Sequence, residues 1–100
     1  MIKNKEVLIG ETGVDSGQLL IIDPCYIDSY WKKSEKGKGE FGGGSYEDCC
    51  NVTLKGKRAG EVKSIQGVIS ESGYGDGEYP VYATYNSEGR IIRLRIEFNE

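Results

Sequence analysis

The residues of this chain best suited to chemistry are four aspartates in turn-like contexts, one isolated cysteine and a group of tyrosines and arginines near the C-terminus. Two or three of Asp15, Asp23, Asp28 and Asp76 would suffice for a general acid–base pair or a hard-metal site. No spacing matches a calcium loop, and the chain has no histidine, which excludes His-based triads and most zinc sites. Aspartate before Gly, Ser or Pro is also an ordinary turn former whose carboxylate bonds nearby N–H groups. Cys25 would serve as a nucleophile only beside a lysine or arginine that lowers its pKa. The glycines of GYGDG at 73–77 are too closely spaced for a dinucleotide fingerprint, and GGG at 42–44 lacks the Lys-Ser/Thr of a phosphate loop. No catalytic constellation emerges, so a non-enzymatic role is expected.

Tyrosine and arginine point elsewhere. Tyr82, Arg93 and Arg95 fall on strands near the C-terminus, and an alternating pattern puts them on one sheet face. Aromatic rings stack on planar ligands, and guanidinium forks take phosphate bidentately. The same residues also suit the plain solvated side of a two-faced sheet, with arginine stems covering tyrosine.

These residues must be positioned by a small framework. One hundred residues imply a single domain, 1–100, that buries roughly 60–70% of its unfolded surface. Its hydrophobic share of 37% includes seven tyrosines, so the strictly apolar core is thin and a homo-oligomer is plausible. The net charge of −3 and pI near 5.0 argue against binding a nucleic-acid polymer, which needs a positive surface. The N-terminus has no signal-peptide layout and no stretch reaches a membrane span, so a cytoplasmic protein is expected. Cys25, Cys49 and Cys50 fit no CxxC or Cys/His metal pattern and read as reduced thiols.

Strand signals dominate the chain. Short strands are expected at 7–9, stopped by Gly10; at 18–22, stopped by Asp23-Pro24; at 50–54, with Cys50, Val52 and Leu54 alternating; at 61–70, with Gly67 as a bulge; at 79–85; and at 90–98. The continuous apolar run of 18–22 suggests a strand covered on both faces. No stretch carries a convincing helical stripe, beyond one short turn at 28–36. Residues 32–48, KKSEKGKGEFGGGSYED, read as a long flexible loop with Phe41 or Tyr46 as its apolar anchors. The expected fold is all-β and mainly antiparallel, a compact small sandwich or partly open barrel.

The last two strands flank Asn86-Ser-Glu-Gly89, which has turn chemistry. A simple register sets Val81 opposite Leu94 and Ala83 opposite Ile92, with Tyr82 across from Arg93 and Arg95 beside Pro80. Asp76-Gly77 reads as a hairpin turn between the 61–70 and 79–85 strands.

Two blocks carry a resemblance. VDSGQ at 14–18 running into DPCYI at 23–27, and GYGDGEYPVY at 73–82, resemble a family of small uncharacterised proteins of bacteria and their phages. The resemblance covers about half the chain and is weakest across 32–48. The phage association implies a sponge: a non-catalytic protein that sequesters a nucleotide-derived immune signal, such as a cyclic ADP-ribose variant or a cyclic dinucleotide, in the host cytoplasm. No cofactor or metal is implied. The pocket it implies joins the corner of Asp23, Cys25 and Tyr26 to the 73–79 loop and the Arg93/Arg95 face. Tyr74 and Tyr79 would stack on a base, with Tyr82 nearby; Arg93 or Arg95 would meet phosphate, and Asp23 or Asp76 would accept ribose hydroxyls. The alternatives are a protein–protein module that inhibits a host factor and a carboxylate-dependent hydrolase of such a signal using Asp23 and Asp76.

Overall fold

A computed structural model describes residues 4–26 and 44–98. The expected turn at 28–36, Ile27, Asp28, Phe41 and most of the 32–48 segment lie outside the described residues. The chain divides into two compact units, one formed by Met1–Gly17 with Ser72–Glu100 and the other by Gln18–Glu71.

The first unit is a three-stranded antiparallel sheet. Its order is β1 (Lys5–Val14), β5 (Gly77–Tyr85), β6 (Ile91–Ile96), with β5 in the centre. Strand β1 does not stop at Gly10. Leu8 lies opposite Tyr82 and Gly10 opposite Val81, leaving Ile9 as an extra residue in a bulge through which the ladder continues. The central strand holds the buried residues of the sheet, Tyr79, Ala83 and Thr84, together with Val14 at the end of β1.

The second unit orders β2 (Gln18–Ile21), β4 (Gly67–Glu71), β3 (Ala59–Val62), again antiparallel, and adds helix α1 (Gly44–Thr53). Strand β2 ends before Asp23-Pro24 as expected, and the chain turns into a 3-10 segment, Pro24–Tyr26. Ile21 is exposed, so β2 is not covered on both faces. The single strand expected over 61–70 is two strands joined by a 3-10 turn, Lys63–Ile65, which drops Ile65 fully into the core. Gly67 is needed for close approach: a Cβ there would lie 2.9 Å from the Ile21 carbonyl oxygen on the neighbouring strand.

Helix α1 is the largest departure from the sequence expectation. The alternation of Cys50, Val52 and Leu54 suggests a strand, but Leu54 is 63% exposed and lies past the helix end. A second pattern decides the segment: Tyr46, Cys49, Cys50 and Thr53 follow the i, i+3, i+4, i+7 spacing of one helical face. Cys49, Cys50 and Thr53 are buried. Cys49 joins Val62, Ile65 and Ile69 in the core, with Leu20, Ile22 and Val52 packed around them. Gln18 locks strand to helix: the Thr53 hydroxyl donates to Gln18 Oε1 at 2.7 Å, and Gln18 Nε2 donates to Cys50 Sγ at 3.5 Å. All three cysteines are free, but Cys25 is exposed whereas Cys49 and Cys50 are buried. Burial pushes the Cys49 thiol up to about 11, so it packs as a neutral, apolar group.

Candidate functional site

The 73–77 loop is a structural knot. Ser72 is completely buried, and its hydroxyl donates to the Gly75 carbonyl at 2.6 Å; the Tyr79 hydroxyl donates to the same carbonyl at 2.7 Å. Holding that carbonyl requires a φ of +92° at Gly75, which a side chain would strain. Asp76 Oδ1 accepts the Gly17 N–H at 2.9 Å, and Ser72 N–H donates to the Gly17 carbonyl at 2.9 Å. These bonds tie together the two points where the chain leaves the first unit and returns to it. Asp76-Gly77 is therefore no hairpin turn between paired strands: β4 pairs with β2 and β3, while β5 pairs with β1 and β6.

The two tyrosines flanking this loop differ sharply. Tyr79 is 6% exposed, with its ring edge-on to Phe98 at 5.3 Å. Its ring and hydroxyl are both committed inside the fold. Tyr74 is 66% exposed at the loop surface.

On β5 and β6 the observed register sets Tyr82 opposite Arg95, Ala83 opposite Leu94 and Thr84 opposite Arg93. It differs by two residues from the expected pairing of Tyr82 with Arg93. A two-residue slip preserves which side chains share a face, so the apolar pattern does not distinguish the two registers. The turn does. Asn86 Oδ1 accepts the N–H groups of Glu88 and Arg90, Asn86 N–H donates to the Arg90 carbonyl, and a bulge sets Tyr85 opposite Ile91. Pro80 sets the other end. Glu97 N–H donates to the Pro80 carbonyl, but proline has no N–H to return the bond, and β6 ends at Ile96.

The Tyr82 face is electrostatically closed at one arginine and open at the other. The Arg95 guanidinium carbon lies 4.3 Å from the Tyr82 ring centroid, in cation–π contact. Its Nε and Nη2 donate to the two carboxylate oxygens of Glu6 at 2.8 and 2.7 Å, and its Nη1 donates to Glu97. The bond to Arg95 holds the Glu6 carboxyl below its ordinary range, and Glu6 in turn raises the Arg95 pKa. Phosphate at Arg95 must therefore displace two carboxylates. Arg93 is exposed opposite Thr84, and no ion pair holds it among the described residues.

Asp23, Cys25 and Tyr26 belong to the second unit, whereas Tyr74, Asp76, Tyr79, Tyr82, Arg93 and Arg95 belong to the first. Asp23 Oδ1 accepts the Cys25 N–H at 2.9 Å, which lowers the Asp23 pKa. The hydrogen bond between the Cys25 thiol and Asp23 raises the thiol pKa, the opposite of what a nucleophile needs. Among the described residues no group of three His, Cys, Asp or Glu side chains is placed to hold a metal ion. An open pocket of about 240 Å³ in the second unit is bordered by Asp48, Asn51, Glu61, Lys63 and Ser64. None of the candidate ligand-binding residues lines it. Its Asp48 carboxylate is already bonded by the Ser64 hydroxyl at 2.6 Å.

What sequence reasoning missed is the apolar character of the outer strands. Eleven large hydrophobic residues are exposed among the described residues, and six of them, Val7, Leu8, Ile9, Ile91, Ile92 and Leu94, lie on β1 and β6. The signal was present as VLI at 7–9 and IIRLRI at 91–96, but such runs are expected to be buried.

By its fold this is a small all-β protein of two three-stranded antiparallel sheets, with one α-helix among the described residues. Residues 4–96 match a family described as protein of unknown function, DUF4241, and the chain belongs to that family. This accords with the resemblance to a small uncharacterised family. No curated protein and no solved structure matches the chain. Among the described residues no helix is long and apolar enough to cross a membrane.

Proposed function

We propose that this protein works by binding rather than by catalysis, and that what it binds is another protein, held against the β1–β5–β6 sheet. The observation that carries this reading is the concentration of exposed apolar side chains on the two outer strands of that sheet. Scattered exposed hydrophobics need no explanation, but Val7 on β1 and Leu94 on β6 lie in one cross-strand row through Ala83 of β5, so their exposed side chains share one face of the sheet. Asp76 and Asp23, the two carboxylates a hydrolase would use, have structural partners instead: Asp76 accepts the Gly17 N–H, and Asp23 caps its own turn.

The test is purification from the producing cells, comparing the wild type with a Val7→Asp, Leu94→Asp double variant of equal melting temperature. A protein retained stoichiometrically by the wild type and lost from the variant is expected, followed by calorimetric binding with purified components. A partner held equally by both, or no stoichiometric partner, overturns the reading.

A second reading is favoured by one specific feature, Arg93, which has no ion-pair contact among the described residues and lies two residues along β6 from the Tyr82–Arg95 stack. It is that the same face holds a planar anionic ligand, in its sharpest form a nucleotide immune signal sequestered without catalysis. Incubation with cyclic ADP-ribose-type and cyclic-dinucleotide signals, followed by heat denaturation, separates the outcomes. Intact ligand released on heating supports sequestration, and degraded ligand restores the hydrolase. Ligand left undepleted in solution removes both.

A further inference from the structure

We infer that the open edge of β6 is a strand-acceptor site, taking an extended segment of a partner protein whose side chains alternate between acidic and apolar. This rests on the reading that the sheet binds a protein, and it specifies the mode of binding and the chemistry of the partner.

Strand β6 is paired on one side only: β5 is its neighbour, and no described strand lies beyond it. Which of its backbone groups remain available follows from the ladder. The bond from Glu97 N–H to the Pro80 carbonyl makes that pair the hydrogen-bonded type. Alternation along an antiparallel ladder then makes Tyr82–Arg95 and Thr84–Arg93 hydrogen-bonded pairs and Val81–Ile96 and Ala83–Leu94 non-bonded ones. Arg93 and Arg95 therefore spend their backbone groups on β5. The N–H and C=O groups of Leu94 and Ile96 point outward, where an added strand finds them.

The two candidate edges of this sheet are not equivalent. Strand β1 is interrupted by the Ile9 bulge and carries Gly10 and Gly13, devices that blunt an edge. Strand β6 contains neither glycine nor proline; its bulge lies at the Ile92 end and leaves Arg93 to Ile96 regular. Leu94 is 57% exposed and Ile92 48%, so an added strand would also gain apolar cover.

Charge decides the occupant. A second copy pairing by a two-fold axis centred on Arg93, Leu94 or Arg95 would set arginine opposite arginine, and an axis on Ile96 would offer Arg95 only the Glu97 that it already bonds within its own chain. Like charges directly opposite destabilise a ladder. In antiparallel addition, residues facing Arg93 and Arg95 occupy non-hydrogen-bonded positions, where opposing side chains come closest. Arg95 already bonds Glu6 and Glu97, whereas Arg93 forms no ion-pair contact among the described residues and acts on Glu6 only as a weaker, more distant charge. An acidic residue opposite Arg93, flanked by apolar residues that cover Leu94 and Ile96, satisfies both faces at once.

The test uses the full chain, labelled with nitrogen-15, and two capped hexapeptides of alternating valine with glutamate or valine with lysine. With the glutamate peptide at ten times its Kd, amide exchange at Leu94 and Ile96 should slow by about tenfold, with Arg93 and Arg95 amides little changed. The lysine peptide should give no such protection, and Arg93→Glu should reverse the preference. Leu94→Pro removes an outward N–H without removing a bond to β5, and should abolish the protection at an unchanged fold, checked by circular dichroism. Because that variant can itself disturb the strand, a glutamate peptide N-methylated at alternate residues provides the same test on the wild type.

Several results overturn the inference. One is equal binding of both peptides; another is no response to either. A free protein that sediments as a dimer with Leu94 and Ile96 already protected assigns the edge to a second copy. Peptide shifts confined to side-chain methyls, without amide protection, remove strand addition but leave the apolar docking surface standing. Loss of the purified partner in the Val7/Leu94 variant is measured independently, so the two readings fail separately.

Discussion

The two sheets are built from strands of similar composition and solve the problem of apolar side chains differently. In the Gln18–Glu71 unit, helix α1 lies on one face of β2–β4–β3, and Val62, Ile65 and Ile69 are at most 2% exposed. In the other unit only Tyr79, Ala83 and Thr84 of the central strand β5 are buried with Val14 of β1, while both outer strands keep large apolar side chains exposed. One unit gathers Val62, Ile65 and Ile69 into a core; the other leaves Val7, Leu8, Ile9, Ile91, Ile92 and Leu94 on its surface. The difference shows why apolar runs in a sequence mark strands reliably but do not tell which strands form the core.

That comparison is sharpest under truncation. Ile69→Ala should cost about 2–5 kcal/mol, because it opens a cavity in a packed core. Leu94→Ala should stay within about 0.5 kcal/mol, as expected for an exposed position. Chemical denaturation of both variants reads the contrast, and equal losses would show that β6 is packed like a core strand. A smaller effect separates the two tyrosines of the 73–79 segment. Tyr79→Phe removes the bond to Gly75 and should lose about 1 kcal/mol, while Tyr74→Phe should leave the melting temperature unchanged. If Tyr79→Phe is silent, the knot around Gly75 is not what holds the loop.

The smallest expected effect is electrostatic and confined to the Tyr82 face. Arg95 lowers the Glu6 pKa, so the pair's stabilisation is fully present above the ordinary glutamate value of 4.5 and is lost as pH falls through the lowered native value. Carbon-13 NMR titration should place the Glu6 midpoint below that of free glutamate, and Arg95→Ala should return it toward 4.5. An unshifted wild-type midpoint would mean that Arg95 is free to bind an anion, which would favour the nucleotide reading over the protein one.

The sequence also misled in instructive places. Its period-two pattern at 50–54 competed with a helical face made of tyrosine, two cysteines and threonine, residues that an apolar count treats as neutral. Helix α1 formed because Gln18 and the Ile65–Ile69 core reward that face, and both partners are distant in the chain. The GYGDGEYPVY segment carries the chemistry of a tight turn, yet its glycines and Asp76 join chain segments 59 residues apart instead of two paired strands. For the candidate site, sequence alone made Tyr79 and Tyr74 equivalent, and burial against Phe98 separated them.

By itself, the sequence determined what depends on local chemistry: an antiparallel all-β class, the stop at Asp23-Pro24, the turn at 86–89, the shared faces of β6 and the lack of histidine chemistry. Tertiary structure decided what depends on distant partners. It set the two-residue register of β5 and β6 through the Asn86 turn and Pro80. It satisfied Arg95 with Glu6, 89 residues away, and gave Arg93 no ion-pair contact among the described residues. It also left Ile91, Ile92 and Leu94 exposed on a strand that has one neighbour among the described residues, rather than in a core. The physical reason is that side-chain periodicity fixes which face a residue shares, whereas burial, register and charge pairing are fixed only by what packs against it.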